Sequence, residues 1–286
     1  MIVRLSGGLG NQLFQYAFGM AQSIQRKEPL LLDDFSFQRD PLREYALESY
    51  QIGAKKLSSM QKIACNLVYY ANRKLHFIPK GKAKFGFYYE TDSFLLEKVA
   101  DTKARYFDGC WQNEAYFAQL KPVLQKEFSY QSKLDTEKEN FLEKIKKTTS
   151  VAVHVRHGDY LTTFNQTIYE IPSNTYYRQA MQYMKEKYPD CVFYFFSDDT
   201  AWCRQEFKEE KDCEFAEFTT PSTAQEDIHL MRQCDHYIIA NSTFSWWAAF
   251  LGSKEESVRI APKNWYKDPE KNTAAKKALL KEYLLI

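Results

Sequence analysis

At 286 residues, with 44% apolar and 27% charged side chains, the chain has the composition of a globular protein and suits two domains of ordinary size. A formal net charge of +2 argues against a nucleic-acid binder, and six scattered cysteines with no C-x-x-C pair argue against a zinc site or a disulfide framework. Reduced cysteines in a cytoplasm are the simplest account. Met1-Ile2-Val3-Arg4-Leu5 leads straight into glycines without a leader, and no apolar run approaches the roughly 20 residues of a membrane helix.

In chain order, Ile2 to Leu5 reads as a strand stopped by Ser6-Gly7-Gly8-Leu9-Gly10. From Asn11 the apolar residues Leu13, Phe14, Ala17, Phe18 and Ala21 recur at helical spacing. Pro29 to Leu32 restarts a strand ending at Asp33-Asp34, Leu57 to Leu75 is a helix, and Lys103 to Phe107 is another short strand. Between Glu48 and Glu90 there is no acidic residue, while Lys55, Lys56, Lys62, Arg73, Lys74, Lys80, Lys82 and Lys84 all fall there. Such a stretch suits an anionic membrane surface, a phosphorylated acceptor, or simply a solvated basic helix face.

Asp135 to Lys147 is a charged helix, and the domain boundary is placed after it, giving domains 1–149 and 150–286. The second half runs strand 150–155, helix 174–188, strand 191–196, helix 201–208, strand 214–218, helix 224–233, strand 237–240 and helix 244–251. A final amphipathic helix is expected over Thr273 to Ile286, docked on the core or, less readily, on a membrane. Apolar strands alternating with helices predict parallel sheets covered on both faces, an α/β fold.

Ligands of doubly wound sheets bind beyond the C-terminal ends of the strands, and the polar residues gather there. Gly7-Gly8-Leu9-Gly10-Asn11-Gln12 lets backbone N–H groups face an anion, although it is neither a dinucleotide fingerprint nor a phosphate-binding loop with Lys-Ser/Thr. Asn11 and Gln12 suit orienting a sugar or phosphate, or capping the helix. In His154-Val155-Arg156-His157-Gly158-Asp159-Tyr160, alternation puts His154 and Arg156 on one side. The guanidinium of Arg156 matches phosphate oxygens, and Asp159 could pair with it.

Ser197-Asp198-Asp199 supplies a further strand end, with ribose or base contact as its use. Asp227 offers a carboxylate that can accept both donors of a guanine edge. Asn241, Ser242 and Thr243 stand where a strand passes into a helix, suited to phosphate or to capping, and Phe244 could pack on base or ribose. Trp246 and Trp247 read as core.

Gly7 to Tyr16, His154 to Tyr160 and Ala240 to Ala248 together resemble the signatures of α-1,2-fucosyltransferases of glycosyltransferase family 11. The resemblance implies a GT-B-like fold, two Rossmann-type domains with a cleft between them, the donor GDP-fucose in the C-terminal one. It implies an inverting, metal-independent transfer with no cofactor, to a terminal β-galactoside of an oligosaccharide or lipid-linked glycan. Arg156 matches the arginine on the donor β-phosphate. His154 and Asp227 match the guanine positions; Ser242, Thr243 and Phe244 match the donor segment; Asn11 matches the glycine-loop asparagine. Gly10, Gln12, Ser197, Asp198 and Asn241 complete the expected donor site. The family's usual second arginine is His157 here, able to stabilise a leaving group only when protonated.

No Asp-x-Asp pair occurs, in keeping with a metal-free site. Arg156 and Asp159 are the expected catalytic residues, with Asp159, His157, Asp33, Asp34 and Glu44 all open as the general base. Many Golgi glycosyltransferases carry a membrane anchor, so its absence leads us to expect a cytoplasmic enzyme, at most peripheral on the inner face of a membrane. Another GDP-sugar transferase, or a non-catalytic nucleotide- or glycan-binding module, remains the alternative.

Overall fold

A computed structural model describes residues 1–75, 78–99, 101–157 and 163–286. Two compact units divide the chain, Met1–Ser129 and Tyr130–Ile286. The division falls twenty residues before the expected boundary, because the charged helix Thr136–Lys146 packs into the second unit. Its Phe141 meets the rings of Tyr194, Phe196 and Phe218 edge-on at 5.4, 6.0 and 5.4 Å. Its buried Lys138 reaches Glu226 at 3.5 Å.

The first unit is built from β1 (Ile2–Arg4), α1 (Leu9–Arg26), β2 (Leu31–Asp33), β3 (Lys55–Lys56), α2 (Ser59–Leu75), β4 (Phe87–Tyr89), β5 (Tyr106–Asp108) and α3 (Lys121–Glu127). All strands are parallel, in the order β3-β2-β1-β5-β4. Helix α1 is buried from Leu9 to Gln22 except at Asn11. It lies directly on the sheet because Gly19 has no side chain: a Cβ there would stand 2.9 Å from Val3 Cγ2 and from Leu30 Cδ1. Strands β3 and β4 were not legible in the sequence, since two or three residues carry no alternation to read.

The opposite sheet face holds a buried ionic knot. Arg4 Nη1 donates to Asp33 Oδ2 at 3.2 Å, to Asn66 Oδ1 at 2.9 Å and to Tyr106 OH at 3.0 Å, with its guanidinium 4.1 Å over the Tyr69 ring. So many partners offset the desolvation of the charges.

The second unit comprises α4 (Thr136–Lys146), β6 (Ser150–Val155), α5 (Thr163–Ile168), α6 (Asn174–Lys187), β7 (Val192–Ser197), α7 (Thr200–Glu206), β8 (Cys213–Phe215), α8 (Ala224–Met231), β9 (His236–Ile238), α9 (Thr243–Gly252), β10 (Arg259–Ala261), α10 (Pro269–Leu279) and β11 (Leu284–Leu285). Its parallel sheet runs β11-β10-β9-β6-β7-β8, the strand order of dinucleotide-binding doubly wound domains. Strand β6 is buried at every position and pairs in register with β7 from Ser150↔Val192 to Val155↔Ser197. Trp246 and Trp247 are fully buried core residues, as read from the sequence.

The C-terminal expectation needs correcting. The helix is Pro269–Leu279, begun by Asp268 as its cap, and the chain then re-enters the sheet with Leu284 beside Ile260. Ala275, Ala278 and Leu279 are buried, and Trp246 Nε1 donates to the Leu279 carbonyl at 2.8 Å, so α10 is docked on the core.

One buried carboxyl beyond β4 shapes the turn after β5. Glu90 accepts the N–H of Cys110 at 2.6 Å and of Trp111 at 2.8 Å, the latter residue left-handed at φ 55. Burial pushes its carboxyl up to about 8 despite those two bonds, with Glu97 and Asp92 adding to the rise. A folded value above the unfolded one means stability that is present in full below about 4.5 and lost as pH rises toward 8. Glu90→Gln should therefore flatten the fall in melting temperature between pH 5 and pH 8, a fall worth at most about 1.4 kcal/mol per pH unit for one proton. An unchanged slope would show that Glu90 is not its source.

Candidate functional site

In the second unit the strands leave β6 in opposite directions, β7 and β8 one way and β9 to β11 the other. The crevice beyond the end of β6 is thus a switch point of the kind at which doubly wound sheets bind ligands. Three elements meet there. His154, fifth residue of β6, lies with its ring 5.3 Å from that of Phe244 in the first turn of α9. Arg156, just past the strand, pairs through Nη1 with Asp198 Oδ2 at 3.3 Å, beyond β7. Ser242 caps α9, its Oγ accepting the Phe244 N–H at 3.3 Å.

The electrostatics divide the roles of this cluster. His154 is 3% exposed, and burial first, then the neighbouring Arg156 charge, pulls its imidazole down to about 3. It is neutral at any working pH. Its Nδ1 is buried without a hydrogen-bond partner among the described residues. Arg156 keeps about a quarter of its side chain open at 24% exposure and stays charged. The start of α9, in contact with His154 through Phe244, adds a positive helix end to the cluster.

His157 turns toward the β7–α7 loop. Its Nδ1 lies 2.9 Å from Asp199 Oδ2, its backbone N–H donates to Asp198 Oδ1 at 2.9 Å, and its ring stacks on Trp202 at 4.3 Å. Asp198 thus serves Arg156 and the His157 backbone together, a link across two strand ends that sequence distance conceals. Asp159, the residue first expected beside Arg156, lies outside the described residues.

Other expected donor residues are engaged in holding the fold. Ser197 Oγ accepts the Asp199 N–H at 2.9 Å, an internal use in the turn leading to α7. The buried Asn241 amide donates to the carbonyls of Glu170 at 2.5 Å and Trp265 at 3.0 Å, pinning two loops. Asp227, in the first turn of α8, differs from both. Ser222 hydrogen-bonds to its carboxylate, yet Oδ1 is buried and unpartnered among the described residues, and burial pushes the carboxyl up to about 6. Helix α8 packs on α9, which sets Asp227 on the element next to Ser242, Thr243 and Phe244.

The first unit has its own switch point, where β2 and β3 leave β1 on one side and β5 and β4 on the other. The glycine loop stands there. Gly7 is left-handed at φ +75, where a Cβ would also strike Asn11 Nδ2 at 2.7 Å, and Gly8 caps α1 in extended conformation. Gly10 is already inside the buried helix. Gln12 is fully buried and committed, donating to the carbonyls of Gly7 at 3.0 Å and Glu44 at 2.8 Å and accepting the Ala46 N–H at 2.9 Å.

Asn11 Oδ1 accepts from Gln112 Nε2 at 3.0 Å, and Arg43 lies over Gly8, where a Cβ would stand 3.7 Å from Nη1. Neither Gln112 nor Arg43 was legible as a neighbour of the loop, because no local pattern marks residues that reach it from elsewhere in the unit. Of the carboxylates considered as bases, Asp33 is sealed in the Arg4 knot and Asp34 pairs with Lys62 at 2.5 Å. Glu44 is exposed.

The Asn241 geometry makes a distinct prediction. Asn241→Ala should lower unfolding stability by about 1–3 kcal/mol, because the amide's hydrogen bonds to the carbonyls of Glu170 and Trp265, the latter buried, are lost. Chemical denaturation measures this in the absence of any ligand, and an unchanged midpoint would return Asn241 to the ligand-contact class.

Comparison with known proteins shows the family and the fold. The family model described as Glycosyl transferase family 11 matches residues 1–286. An alpha-1,2-colitosyltransferase of Escherichia coli is 32% identical over 280 residues, covering 96% of this chain and 94% of that one. A galactoside 2-alpha-L-fucosyltransferase, Sec1 of Mus musculus, is 29% identical over 172 residues, 57% of this chain and 47% of that one. The crystal structure of POFUT1 in complex with GDP shares the fold at a TM-score of 0.51 and 13% identity, over 91% of this chain and 96% of that one.

Proposed function

Because the chain belongs to glycosyl transferase family 11 along its whole length, we propose that it transfers L-fucose from GDP-β-L-fucose to the 2-hydroxyl of a terminal β-galactoside, with inversion and without a metal ion. The observation that carries this reading is the β6 end. A permanently charged guanidinium, a neutral buried imidazole and a helix N-terminus converge at one switch point.

In this reading the acceptor oxygen attacks the anomeric carbon from the face opposite the nucleotide. The bond from that carbon to the β-phosphate oxygen breaks, its electron pair stays with GDP, and the acceptor proton passes to a base. Arg156 and the N–H groups of Ser242 and Thr243 would hold the departing diphosphate, where preorganised charge lowers the barrier most. His154 Nδ1 and Asp227 Oδ1, both buried without a partner among the described residues, would find theirs on guanine. Asp159 stays a proposed base or orienting partner. Gly10 and Asn11 are proposed for the first unit's share of the donor, whereas Gln12, Ser197 and Asn241 would act by shaping loops. Asp198 would steady Arg156.

A second reading is favoured by the bacterial relative, a colitosyltransferase that matches nearly end to end. The same site could take a GDP-linked colitose in place of fucose.

GDP at 100 times its Kd should stabilise the protein by about 2.7 kcal/mol in a thermal melt, with UDP and ADP inert. A donor panel with galactoside acceptors then separates fucose from colitose. Turnover that survives EDTA fits the metal-free route, and its abolition would end that part of the proposal.

Arg156→Ala should reduce turnover by about 10²–10³-fold, with the melting temperature of the free protein unchanged within a few degrees. Wild-type turnover would remove Arg156 from the mechanism.

A further inference from the structure

Helix α2 carries an outward face that the first unit does not use. Its inner side docks on the sheet: Tyr69 OH donates to Asp108 Oδ2 at 2.9 Å, Asn66 accepts from Arg4, and Tyr69 packs with Ile78, Phe87, Tyr89 and Tyr106. The outer side of such a covering helix is normally polar. Here it shows Met60 81%, Ile63 58%, Leu67 69% and Val68 47% exposed. Steps of three and four residues put Met60, Ile63 and Leu67 on one stripe of the helix, with the exposed Ala64 and Ala71 between and beyond them and Val68 at its edge. An apolar ladder of this length on a surface marks a site of interaction.

The charge around the ladder identifies the partner. Helix α2 connects β3 to β4, the two edges of the five-stranded sheet, so it crosses the sheet from side to side. Lysines bracket it at both ends: Lys55 before it, and Lys80, Lys82 and Lys84 after it, all exposed and without ion pairs among the described residues. No acidic residue occurs from Ser49 to Tyr89. Phe85, beside Lys84, is 68% exposed.

We propose that this face of α2 is a peripheral docking surface for an anionic lipid bilayer. The apolar stripe would enter the boundary between headgroups and acyl chains to a depth of about 5–10 Å, as interfacial amphipathic helices do. The flanking lysines would meet lipid phosphates. Because the helix is already folded against its sheet, binding carries no cost of helix formation, unlike a free amphipathic peptide. No helix among the described residues is long and apolar enough to cross a membrane, so contact through α2 would be reversible and surface-bound. The proposal is independent of which sugar the protein transfers.

The test is flotation of the purified full chain with vesicles of phosphatidylglycerol and phosphatidylcholine in equal parts, against vesicles of phosphatidylcholine alone. Binding to the anionic vesicles should be at least tenfold stronger, and should weaken in 0.5 M salt. The double substitution Ile63→Glu with Leu67→Glu should abolish it while leaving the melting temperature and its rise with GDP unchanged. Reversing charge at Lys80, Lys82 and Lys84 should weaken anionic binding by well over tenfold, since each lysine near such a surface contributes roughly fivefold. Leu67→Trp, which keeps the face apolar, should blue-shift its added emission on anionic vesicles only.

Failure of the wild-type chain to bind anionic vesicles would overturn the proposal. So would undiminished binding by the double variant, or a sedimentation result in which the wild type dimerises and the double variant is monomeric.

Discussion

Parallel pairing around a central first strand is the constraint from which the rest of each unit follows. Once β1 and β6 take the middle of their sheets, every later strand must run the same way and every crossover helix must cover a face. All the strand C-termini then gather at one edge, and the chain's polar residues gather with them. In β6 the burial is complete from Ser150 to Val155. A histidine at its fifth position cannot hold a charge there, and Arg156 next to it reinforces neutrality. The first residue past the strand can be charged only because it emerges toward solvent and Asp198.

Polar groups at these strand ends follow two fates set by one energetic rule. A buried donor or acceptor without a partner costs about 1–3 kcal/mol, so most are spent on the chain itself. Gln12 knits the glycine loop to the segment at Glu44 and Ala46, and Asn241 pins the carbonyls of Glu170 and Trp265. Ser197 and Asp199 build the start of α7. Among the described residues His154 Nδ1 and Asp227 Oδ1 are buried without a partner, as are core atoms such as Gln22 Oε1 and Trp111 Nε1. His154 and Asp227 stand out by lying on elements that meet or adjoin the β6 switch point.

The two faces of α2 show the same economy in apolar terms. One face completes an aromatic and ionic layer over the sheet, joining Arg4, Asp33, Tyr69 and Tyr106. The other leaves aliphatic side chains in water, flanked in sequence by Lys55, Lys80, Lys82 and Lys84, which have no ion pair among the described residues, whereas Lys62 pairs with Asp34. Both faces are present in the 3.6-residue pattern of the segment, but only packing decides which one is inside.

Much of the second unit was legible from the residues alone, because long apolar strands and periodic helices are local signals. Ser150 to Val155 is the clearest case, a buried strand followed at once by charge. The family signatures at the glycine loop, at His154 to Tyr160 and at Ala240 to Ala248 were equally local. Tertiary structure decided what no window of sequence contains. It placed helix α4 with the second unit through Phe141, and returned the C-terminus to the sheet as β11. It gave Arg156 to Asp198, about forty residues away, and assigned the amides of Gln12 and Asn241 to carbonyls. Propensity and periodicity act over a turn or two of chain, whereas the satisfaction of a buried polar group depends on whichever distant segment the fold brings beside it.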